Sequence, residues 1–368
     1  MSAVVTSPAY KKHLYLPTNI TAIGDTLYVT DSGNNRICKL NPDTSASTVA
    51  GGFPHGYKNA IGYKAKFNFP VGITAIGDTL YVVDTGNDCI RKITPDGAVT
   101  TFAGSPKRIG NKDGPGNEAS FEHPEGIVAV RDVLYVADRL NSRIRKITPD
   151  GVVTAFAGFE WGYEDGVGTA AKFTLPTGIT AIGDTLYVTD AHRIRKITPD
   201  GVVTTLAGSE QGNQDGIGVE ARFNYPYGIT AIGDTLYVSD TDNNRICKIT
   251  PDGAVTTIAG SEKGNVDGIG KYASFYRPAG LLAMGNTLYV ADKLNNRIRK
   301  IDLLPTPTNE DRARKKNVHG ELTYHPPMGI FPGGIEFQEA EKRFQDAQTI
   351  RRRSRKHVKK GRTTRKRR

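Results

Sequence analysis

A six-residue motif, Gly-Asp-Thr-Leu-Tyr-Val, recurs along the chain at nearly constant spacing. It begins unchanged at Gly24, Gly77, Gly183 and Gly233, and degenerate copies begin at Arg131 and Gly285. The central leucines, Leu27, Leu80, Leu134, Leu186, Leu236 and Leu288, are separated by 53, 54, 52, 50 and 52 residues. A fixed period in this range is typical of repeat proteins, in which each copy forms one supersecondary unit. The sequence therefore predicts six structural repeats.

Each repeat contains four short β-rich segments, which we call a, b, c and d. In the fifth copy they cover residues 228–232, 235–239, 245–249 and 254–258. Gly-Asp separates a from b and Thr-Pro-Asp-Gly separates c from d, and both are tight-turn sequences. Segment b, with Leu-Tyr-Val, lacks polar alternation, as expected for an inner strand that is buried on both faces. This pattern predicts an all-β fold in which each repeat is one blade of a propeller.

The sixth copy ends after segment c, and a matching segment d lies at the other end of the chain. Residues 2–9 resemble residues 253–259 of the fifth copy. We therefore expect the N-terminal segment to supply the last strand of blade 6. This arrangement would close the ring and remove an exposed sheet edge. The prediction is a six-bladed propeller that covers residues 1–304.

The repeated motifs Pro-x-Gly-Ile, Leu-Tyr-Val-x-Asp and Asn-x-Arg-Ile-x-Lys-Ile resemble the NHL repeat. The connecting sequence at 264–275 resembles it too, and the likeness recurs six times over residues 1–304. The resemblance implies a six-bladed propeller that binds a protein partner or single-stranded RNA. Two copies depart from the pattern. The fourth lacks two residues of the b–c loop at 190–193, and the second has Cys89 in place of the motif arginine.

An aspartate after segment b and an arginine at the start of segment c recur in nearly every copy. The pairs are Asp31/Arg36, Asp138/Arg143, Asp190/Arg193, Asp240/Arg245 and Asp292/Arg297. A residue pair that almost every blade contains is expected to be structural. We predict a partly buried ion pair that ties segment b to segment c or to the neighbouring blade. Function is then expected where the copies differ.

In this connectivity the b–c loops and the d–a connections, about 20 residues long, emerge on one face of the ring. We call it the variable face and predict that it binds the partner. Residues on either side of the proline that begins segment a should ring the central channel there. These are Leu16/Thr18, Phe69/Val71, His123/Glu125, Leu175/Thr177, Tyr225/Tyr227 and Arg277/Ala279. The predicted polar pocket, which we call the channel mouth, comprises His123, Glu125, Tyr225, Tyr227 and Arg277.

The sequence favours a non-enzymatic interaction scaffold with no catalytic residues, metal or cofactor. It contains no Ser-His-Asp order, phosphate-binding loop or HExxH motif. The alternative is a lyase or lactonase-type enzyme with a metal at the channel mouth, but only one copy offers a His and carboxylate pair. Basic loop residues, including Arg139 and Lys293, alternate with acidic ones and are expected to form a solvated mixed surface.

The net charge of +11 belongs entirely to residues 305–368, which hold 18 Lys or Arg and 7 Asp or Glu. Because residues 1–304 are neutral, RNA is not favoured as the ligand of the propeller itself. We predict a Pro/Gly-rich linker at 305–334, a short helix at 335–350 and a disordered basic tail at 351–368. The basic residues of this tail are Arg351, Arg352, Arg353, Arg355, Lys356, Lys359, Lys360, Arg362, Arg365, Lys366, Arg367 and Arg368. Two interpretations compete, a nuclear import signal and a nonspecific contact with nucleic acid, and binding to an anionic membrane is a third.

The predicted location is intracellular, either cytoplasmic or nuclear, and not secreted. No apolar segment is long enough for a membrane helix, and the N-terminus lacks the pattern of a secretory signal. The three cysteines, Cys38, Cys89 and Cys247, have neither disulfide-framework nor metal-site spacing. We expect reduced, buried thiols and a monomeric protein.

Overall fold

A computed structural model of the chain describes residues 2–10, 13–106 and 108–304. These residues form an all-β, six-bladed propeller, which confirms the predicted fold class. The predicted linker at 305–334, helix at 335–350 and basic tail at 351–368 lie outside the described residues. Among the described residues, no helix has the length and apolar character needed to span a membrane.

The first half of the chain contains the N-terminal strand β1 and the strands of blades 1 to 3. They are β1 (Ser2–Thr6), β2 (Pro17–Ile23), β3 (Thr26–Asp31), β4 (Arg36–Leu40), β5 (Ala46–Gly51), β6 (Ala60–Ile61), β7 (Pro70–Ile76), β8 (Thr79–Asp84), β9 (Cys89–Ile93), β10 (Ala98–Gly104), β11 (Pro124–Val130), β12 (Val133–Asp138), β13 (Arg143–Ile147) and β14 (Val153–Ala157). Of these, β1 belongs to blade 6, because it pairs with the strand at the other end of the described chain.

The remaining blades continue the same order. Their strands are β15 (Gly166–Val167), β16 (Pro176–Ile182), β17 (Thr185–Asp190), β18 (Arg193–Ile197), β19 (Val202–Ala207), β20 (Gly216–Ile217), β21 (Pro226–Ile232), β22 (Thr235–Asp240), β23 (Arg245–Ile249), β24 (Ala254–Ala259), β25 (Gly268–Ile269), β26 (Pro278–Met284), β27 (Thr287–Asp292) and β28 (Arg297–Leu304). Short 3-10 turns cover Ser32–Asn34, Gly62–Lys64, Thr85–Asn87, Arg139–Asn141, Gly168–Ala170, Gly218–Glu220, Thr241–Asn243, Gly270–Tyr272 and Lys293–Asn295.

The N-terminal strand closes the ring as predicted. In blade 6 the strand order is β25-β1-β28-β27-β26, so β1 takes the place of segment d. Its register places Val4 opposite Asp302 and Val5 opposite Ile301. The innermost strands β2, β7, β11, β16, β21 and β26 contact one another in sequence, and β26 contacts β2. Apolar clusters fill the spaces between adjacent blades.

The repeated glycine after Pro-x allows the innermost strands to approach one another closely. A Cβ atom on Gly178 would lie 1.9 Å from the carbonyl oxygen of Tyr227 in the next blade, and one on Gly126 would lie 2.1 Å from that of Thr177. No side chain fits at such separations. The glycine in this motif therefore reflects blade-to-blade packing around the channel.

The d–a connections do not stay on the variable face, so that part of the prediction is wrong for their middle sections. The connection into blade 2 forms β6, which pairs with β10 at the outer edge of the blade. The Gly62 amide then donates to the Gly97 carbonyl, which lies in the c–d turn of the opposite face (2.9 Å). The chain takes this route because it satisfies backbone groups at an otherwise open outer edge. Only the two ends of each connection lie on the variable face.

The predicted Asp–Arg pairing holds in two of the five predicted pairs and is wrong in the other three. Asp31–Arg36 and Asp240–Arg245 form ion pairs of 2.6 and 2.7 Å. In four blades the aspartate instead pairs with the arginine two residues later. Those pairs are Asp84–Arg91, Asp138–Arg145, Asp190–Arg195 and Asp292–Arg299, at 2.7, 2.8, 3.1 and 2.9 Å.

The reason for the alternation is side-chain volume. Residues i and i+2 of a strand lie on the same side, so both arginine positions of segment c can reach one buried space. Cys38 and Cys247 occupy the second position in blades 1 and 5, and both are fully buried. A cysteine is smaller than arginine and brings no positive charge, although Cys38 Sγ lies 3.7 Å from Asp31 Oδ2. The first arginine, Arg36 or Arg245, fills the space and supplies the charge instead.

The ion pairs tie together parts of one blade and do not reach a neighbouring blade. Arg145 also pairs with Asp113 of the connection that enters its own blade (2.6 Å), and it donates to the carbonyls of Ser120 and Lys112. Burial raises the pKa of Asp138 to about 6, although Arg145 opposes that shift. The arginine thus holds the connection against strands b and c.

Candidate binding site at the channel mouth

The propeller brings the predicted channel-mouth residues together at one end of the channel. A cavity of about 350 Å³ is lined by Glu125, Arg139, Leu175, Thr177, Ala191, Tyr225, Pro226, Tyr227, Thr241, Asp242 and Arg277. Four of the five predicted residues line this cavity. The fifth, His123, contacts Glu125, with 3.4 Å between Nδ1 and Oε1.

Backbone contacts between blades fix the positions of the mouth residues. His123, Tyr225 and Arg277 have φ values of 51°, 47° and 51°, in the left-handed region. The amide of His123 donates to Asp88 of the preceding blade (2.7 Å), and that of Arg277 donates to Asn244 (2.9 Å). These hydrogen bonds from a neighbouring blade support the unusual backbone conformation.

In blade 4, which has a shorter b–c loop, a histidine accepts the corresponding hydrogen bond from the next blade. His192 stands directly before Arg193, where Asn244 stands before Arg245. Its Nδ1 accepts the Tyr225 amide at 3.5 Å, and the two rings meet edge to face at 4.7 Å. Burial lowers the pKa of His192, and the charge of Arg193 lowers it further. A neutral imidazole is what this acceptor role requires.

Glu125 is the most buried charged group of the mouth, with 7% of its surface exposed. Its Oε1 lies 3.4 Å from His123 Nδ1 and 3.4 Å from Arg139 Nε. Its Oε2 is buried and has no hydrogen bond of ordinary geometry. Burial raises the pKa of the Tyr227 hydroxyl well above its usual range, and the charge of Glu125 and a hydrogen-bond contact with its carboxylate raise it further. The site therefore presents a carboxylate oxygen that is not fully satisfied.

Two cations of the mouth, Arg139 and Lys293, were not predicted as site residues. Each occupies the first position of the 3-10 turn between strands b and c. The residues at this position in blades 1, 2 and 5 are Ser32, Thr85 and Thr241, whose hydroxyls donate to the proline carbonyl of the next blade. An alignment of the residue that follows each repeated aspartate would have shown both cations, with Ala191 of the shortened blade 4 loop as a third departure from Ser or Thr.

Lys293 extends from blade 6 across the channel. Its Nζ lies 5.5 Å from the centre of the Phe69 ring of blade 2 and 5.9 Å from that of Tyr227 of blade 5. Burial lowers the pKa of this ammonium group, although the negative charge of Glu125 opposes the shift. Within the described part of the chain Lys293 forms no ion pair, whereas the nearby Arg277 pairs with Asp242 at 2.8 Å.

A second feature of the variable face is an exposed aromatic cluster, which we define as Phe159, Trp161 and Tyr163. Trp161 is 68% exposed and Phe159 is 56% exposed. Arg143 lies 4.7 Å from the Phe159 ring and Arg193 lies 3.8 Å from the Tyr163 ring. These arginines are available because Arg145 and Arg195 form the buried ion pairs.

No group of three or more His, Cys, Asp or Glu able to hold a metal occurs in the described ranges. The three cysteines are buried, and none of them forms a disulfide.

Sequence comparison identifies the type of repeat. No family model matches the chain. NHL repeat-containing protein 2 of Gallus gallus is 38% identical over 93 residues, which is 24% of this chain and 13% of that protein. The Homo sapiens protein of the same name is 36% identical over 81 residues, or 22% of this chain and 11% of that one. The chain is an NHL-repeat propeller. The matched segment is only about an eighth of the length of these relatives, so the similarity concerns the repeats.

Solved structures share the fold of this NHL propeller at low sequence identity. A Bacteroides thetaiotaomicron protein of unknown function superposes with a TM-score of 0.61 at 20% identity, over 82% of this chain and 76% of that one. The gluconolactonase of Xanthomonas campestris gives 0.57 at 14%, covering 82% and 90%. Virginiamycin B lyase of Staphylococcus aureus gives 0.52 at 16%, covering 82% and 100%. These likenesses show the fold alone.

Proposed function

We propose that this NHL propeller is a non-enzymatic interaction scaffold that binds a protein partner through its variable face. The observation that carries the proposal is the exposed aromatic cluster of Phe159, Trp161 and Tyr163 with arginines stacked against it. Tryptophan, tyrosine and arginine are the residues that most often dominate the binding energy of protein interfaces. The corresponding positions in the connection into blade 5 are Ser209, Gln211 and Asn213. The cluster is therefore a departure from the repeat and not a requirement of the fold.

The charge of the propeller favours a protein partner over RNA. Residues 1–304 have no net charge, whereas nucleic-acid affinity depends on an excess of basic residues. Acidic residues alternate with the aromatic cluster along the chain, since Glu160 lies between Phe159 and Trp161 and Glu164 follows Tyr163. Both glutamates pair with Lys172. A mixed surface of this kind suits a protein partner with both polar and apolar groups.

The repeat itself supplies the variants that test this proposal. The full chain carrying Phe159→Ser and Trp161→Gln has the residues of the next connection and is expected to fold normally. Used as bait in a lysate treated with nuclease, it should capture the partner of the wild-type chain at least about tenfold less well. The matched control is Ile217→Thr, which alters an exposed apolar residue of the outer strand β20. Capture that depends on nucleic acid, or that both variants retain, would contradict the proposal.

We also propose that the basic tail at 351–368 contributes nucleic-acid contact or nuclear targeting, consistent with an intracellular location. The support is compositional, because the tail holds twelve Lys or Arg and no acidic residue. Clustered basic residues bind phosphates by releasing condensed counterions. The tail would add a charge-based contact to a propeller that recognises a different partner.

The enzymatic alternative has one observation in its favour, the contact between His123 and Glu125 in the channel mouth. A histidine next to a buried carboxylate is a common acid–base arrangement. In a lyase or lactonase-type enzyme, these residues would help to bind a catalytic metal at the channel mouth. Elemental analysis of the purified chain tests this possibility. A stoichiometric metal that is lost in His123→Ala would favour the enzyme over the scaffold.

A further inference from the structure

We propose that the channel mouth binds a small carboxylate that carries a hydroxyl or ammonium group next to the carboxylate. The ligand class is thus a hydroxy acid or an amino acid. The inference rests on the proposed function in one respect, since it places a second binding site on the same variable face. It assigns a ligand to the cavity beside Glu125, which lies apart from the aromatic cluster.

The first argument is the unsatisfied acceptor. Glu125 is more than nine-tenths buried and lines the cavity, and its Oε2 has no hydrogen bond of ordinary geometry. A buried carboxylate oxygen that lacks a well-placed donor is costly, even with the Tyr227 hydroxyl close to the same carboxylate, and native proteins seldom leave one poorly paired. A ligand hydroxyl or ammonium group in the cavity would supply the donor. A ligand with only acceptor groups would be repelled.

The second argument is the excess of positive charge opposite that acceptor. Arg139 and Arg277 line the cavity, and Lys293 lies beside it with its Nζ 5.9 Å from the centre of the Tyr227 ring, whereas Glu125 and Asp242 are the acidic groups of the lining. These three cations outnumber the two acidic groups, so one positive charge has no counter-charge. Lys293 is the candidate, because it forms no ion pair among the described residues and its Nζ faces the rings of Phe69 and Tyr227. A ligand carboxylate would provide both the missing charge and the missing acceptor.

The third argument is the shape and lining of the cavity. Its volume of about 350 Å³ is at the lower end of the range found for small-molecule sites. Leu175, Ala191 and Pro226 give it apolar walls, and Tyr225 and Tyr227 add aromatic ones. A compact apolar or aromatic stem attached to the polar end of the ligand fits this combination. We therefore use probes that have a phenyl stem.

The test compares four probes with the same stem by calorimetric titration of the full chain. They are 3-phenyllactate, phenylalanine, 3-phenylpropionate and 2-phenylethylamine. At least one of the first two should bind about tenfold more tightly than 3-phenylpropionate, which lacks the donor, and than 2-phenylethylamine, which lacks the carboxylate. Tighter binding of phenyllactate would identify a hydroxy acid, and tighter binding of phenylalanine an amino acid.

Two mouth variants assign the contacts. Glu125→Gln should weaken the probe that binds by about tenfold and should not weaken 3-phenylpropionate, because the variant loses the acceptor for the donor group and no longer repels a carboxylate. Lys293→Met should weaken every carboxylate probe and spare 2-phenylethylamine. Because Lys293 lies in a loop, the Lys293→Met variant is expected to fold, and it tests the inference even if the Glu125→Gln variant is unstable. The control is Lys248→Met on strand β23, outside the mouth.

Two results would overturn the inference. One is that none of the four probes binds the wild-type chain at millimolar concentration. The other is that the mouth variants and the Lys248→Met control bind the probes equally. The scaffold proposal depends on Phe159 and Trp161, which lie outside the cavity lining. Partner capture in the same preparation therefore distinguishes failure of this inference from failure of the proposed function.

Discussion

The guanidinium group of Arg145 lies 2.8 Å from the carboxylate of Asp138, and both side chains are fully buried. The same aspartate accepts hydrogen bonds from the Glu122 amide and from Asn141. The buried charge pair is therefore set in a network that satisfies the carboxylate and the two terminal nitrogens of the guanidinium group, while Arg145 Nε has no hydrogen bond to a described residue. Equivalent networks centred on the aspartate and an arginine occur in the other blades.

The first prediction concerns the loss of this arginine. Arg145→Met leaves the Asp138 carboxylate buried without its counter-charge and should lower the free energy of unfolding by about 3–5 kcal/mol. Arg143→Met is the matched control, since Arg143 stands two residues earlier and stacks on Phe159. It should cost about 1 kcal/mol or less. Urea unfolding measures both, and equal losses would contradict the pairing.

The second prediction concerns ring closure. Removal of residues 2–9 deletes β1, which lies between β28 and β25, and exposes the edge of β28. The truncated chain should melt more than about 5 °C lower and should associate as its concentration rises. A synthetic peptide of residues 1–10, added in excess, should restore part of the loss. An unchanged melting temperature would show that β1 does not stabilise the ring.

The third prediction concerns close packing around the channel. Gly178→Ala places a methyl group against the Tyr227 carbonyl and should cost about 1–3 kcal/mol. Gly233→Asn is the control, because this glycine has a φ of 56° and no heavy atom within 4 Å of its Cβ position. Asparagine tolerates that conformation, so the change should stay within about 0.5 kcal/mol. Chemical denaturation of both variants checks the difference.

The fourth prediction concerns pH. Because burial lowers the pKa of His192 in the folded state, the unfolded chain binds more protons at this residue just below pH 6.5. Stability should therefore fall as the pH decreases through that range, when protonation removes the acceptor for the Tyr225 amide. His192→Asn should reduce the dependence. An NMR titration of His192 with a midpoint at or above 6.5 would contradict the prediction.

The fifth prediction concerns the basic tail. The full chain should bind single-stranded DNA with an affinity that falls steeply as salt is added, because the contact releases counterions. A chain that ends at residue 350 should lose most of that affinity, whereas Trp161→Gln should retain it. Fluorescence anisotropy at several salt concentrations measures both effects. Binding that survives the truncation would place the contact on the propeller.

The candidate site was only partly predictable. His123, Glu125, Tyr225, Tyr227 and Arg277 were found because each flanks the proline that begins an innermost strand, at a position fixed by the repeat. Arg139 and Lys293 belong to a different part of the repeat, the turn between strands b and c. Their nearness to Glu125 depends on the closure of the ring, which brings blades 3 and 6 to opposite sides of one channel.

The sequence by itself determined the six blades, the hairpins within them and the strand that closes the ring. These features follow from local patterns, turn residues and apolar segments, that recur in every copy and need no knowledge of distant contacts. Only the tertiary structure decided which arginine of segment c reaches the buried aspartate and which side chains meet across the channel. Those outcomes depend on side-chain volume and on the packing of residues far apart in the chain, and a linear period of about fifty residues contains neither.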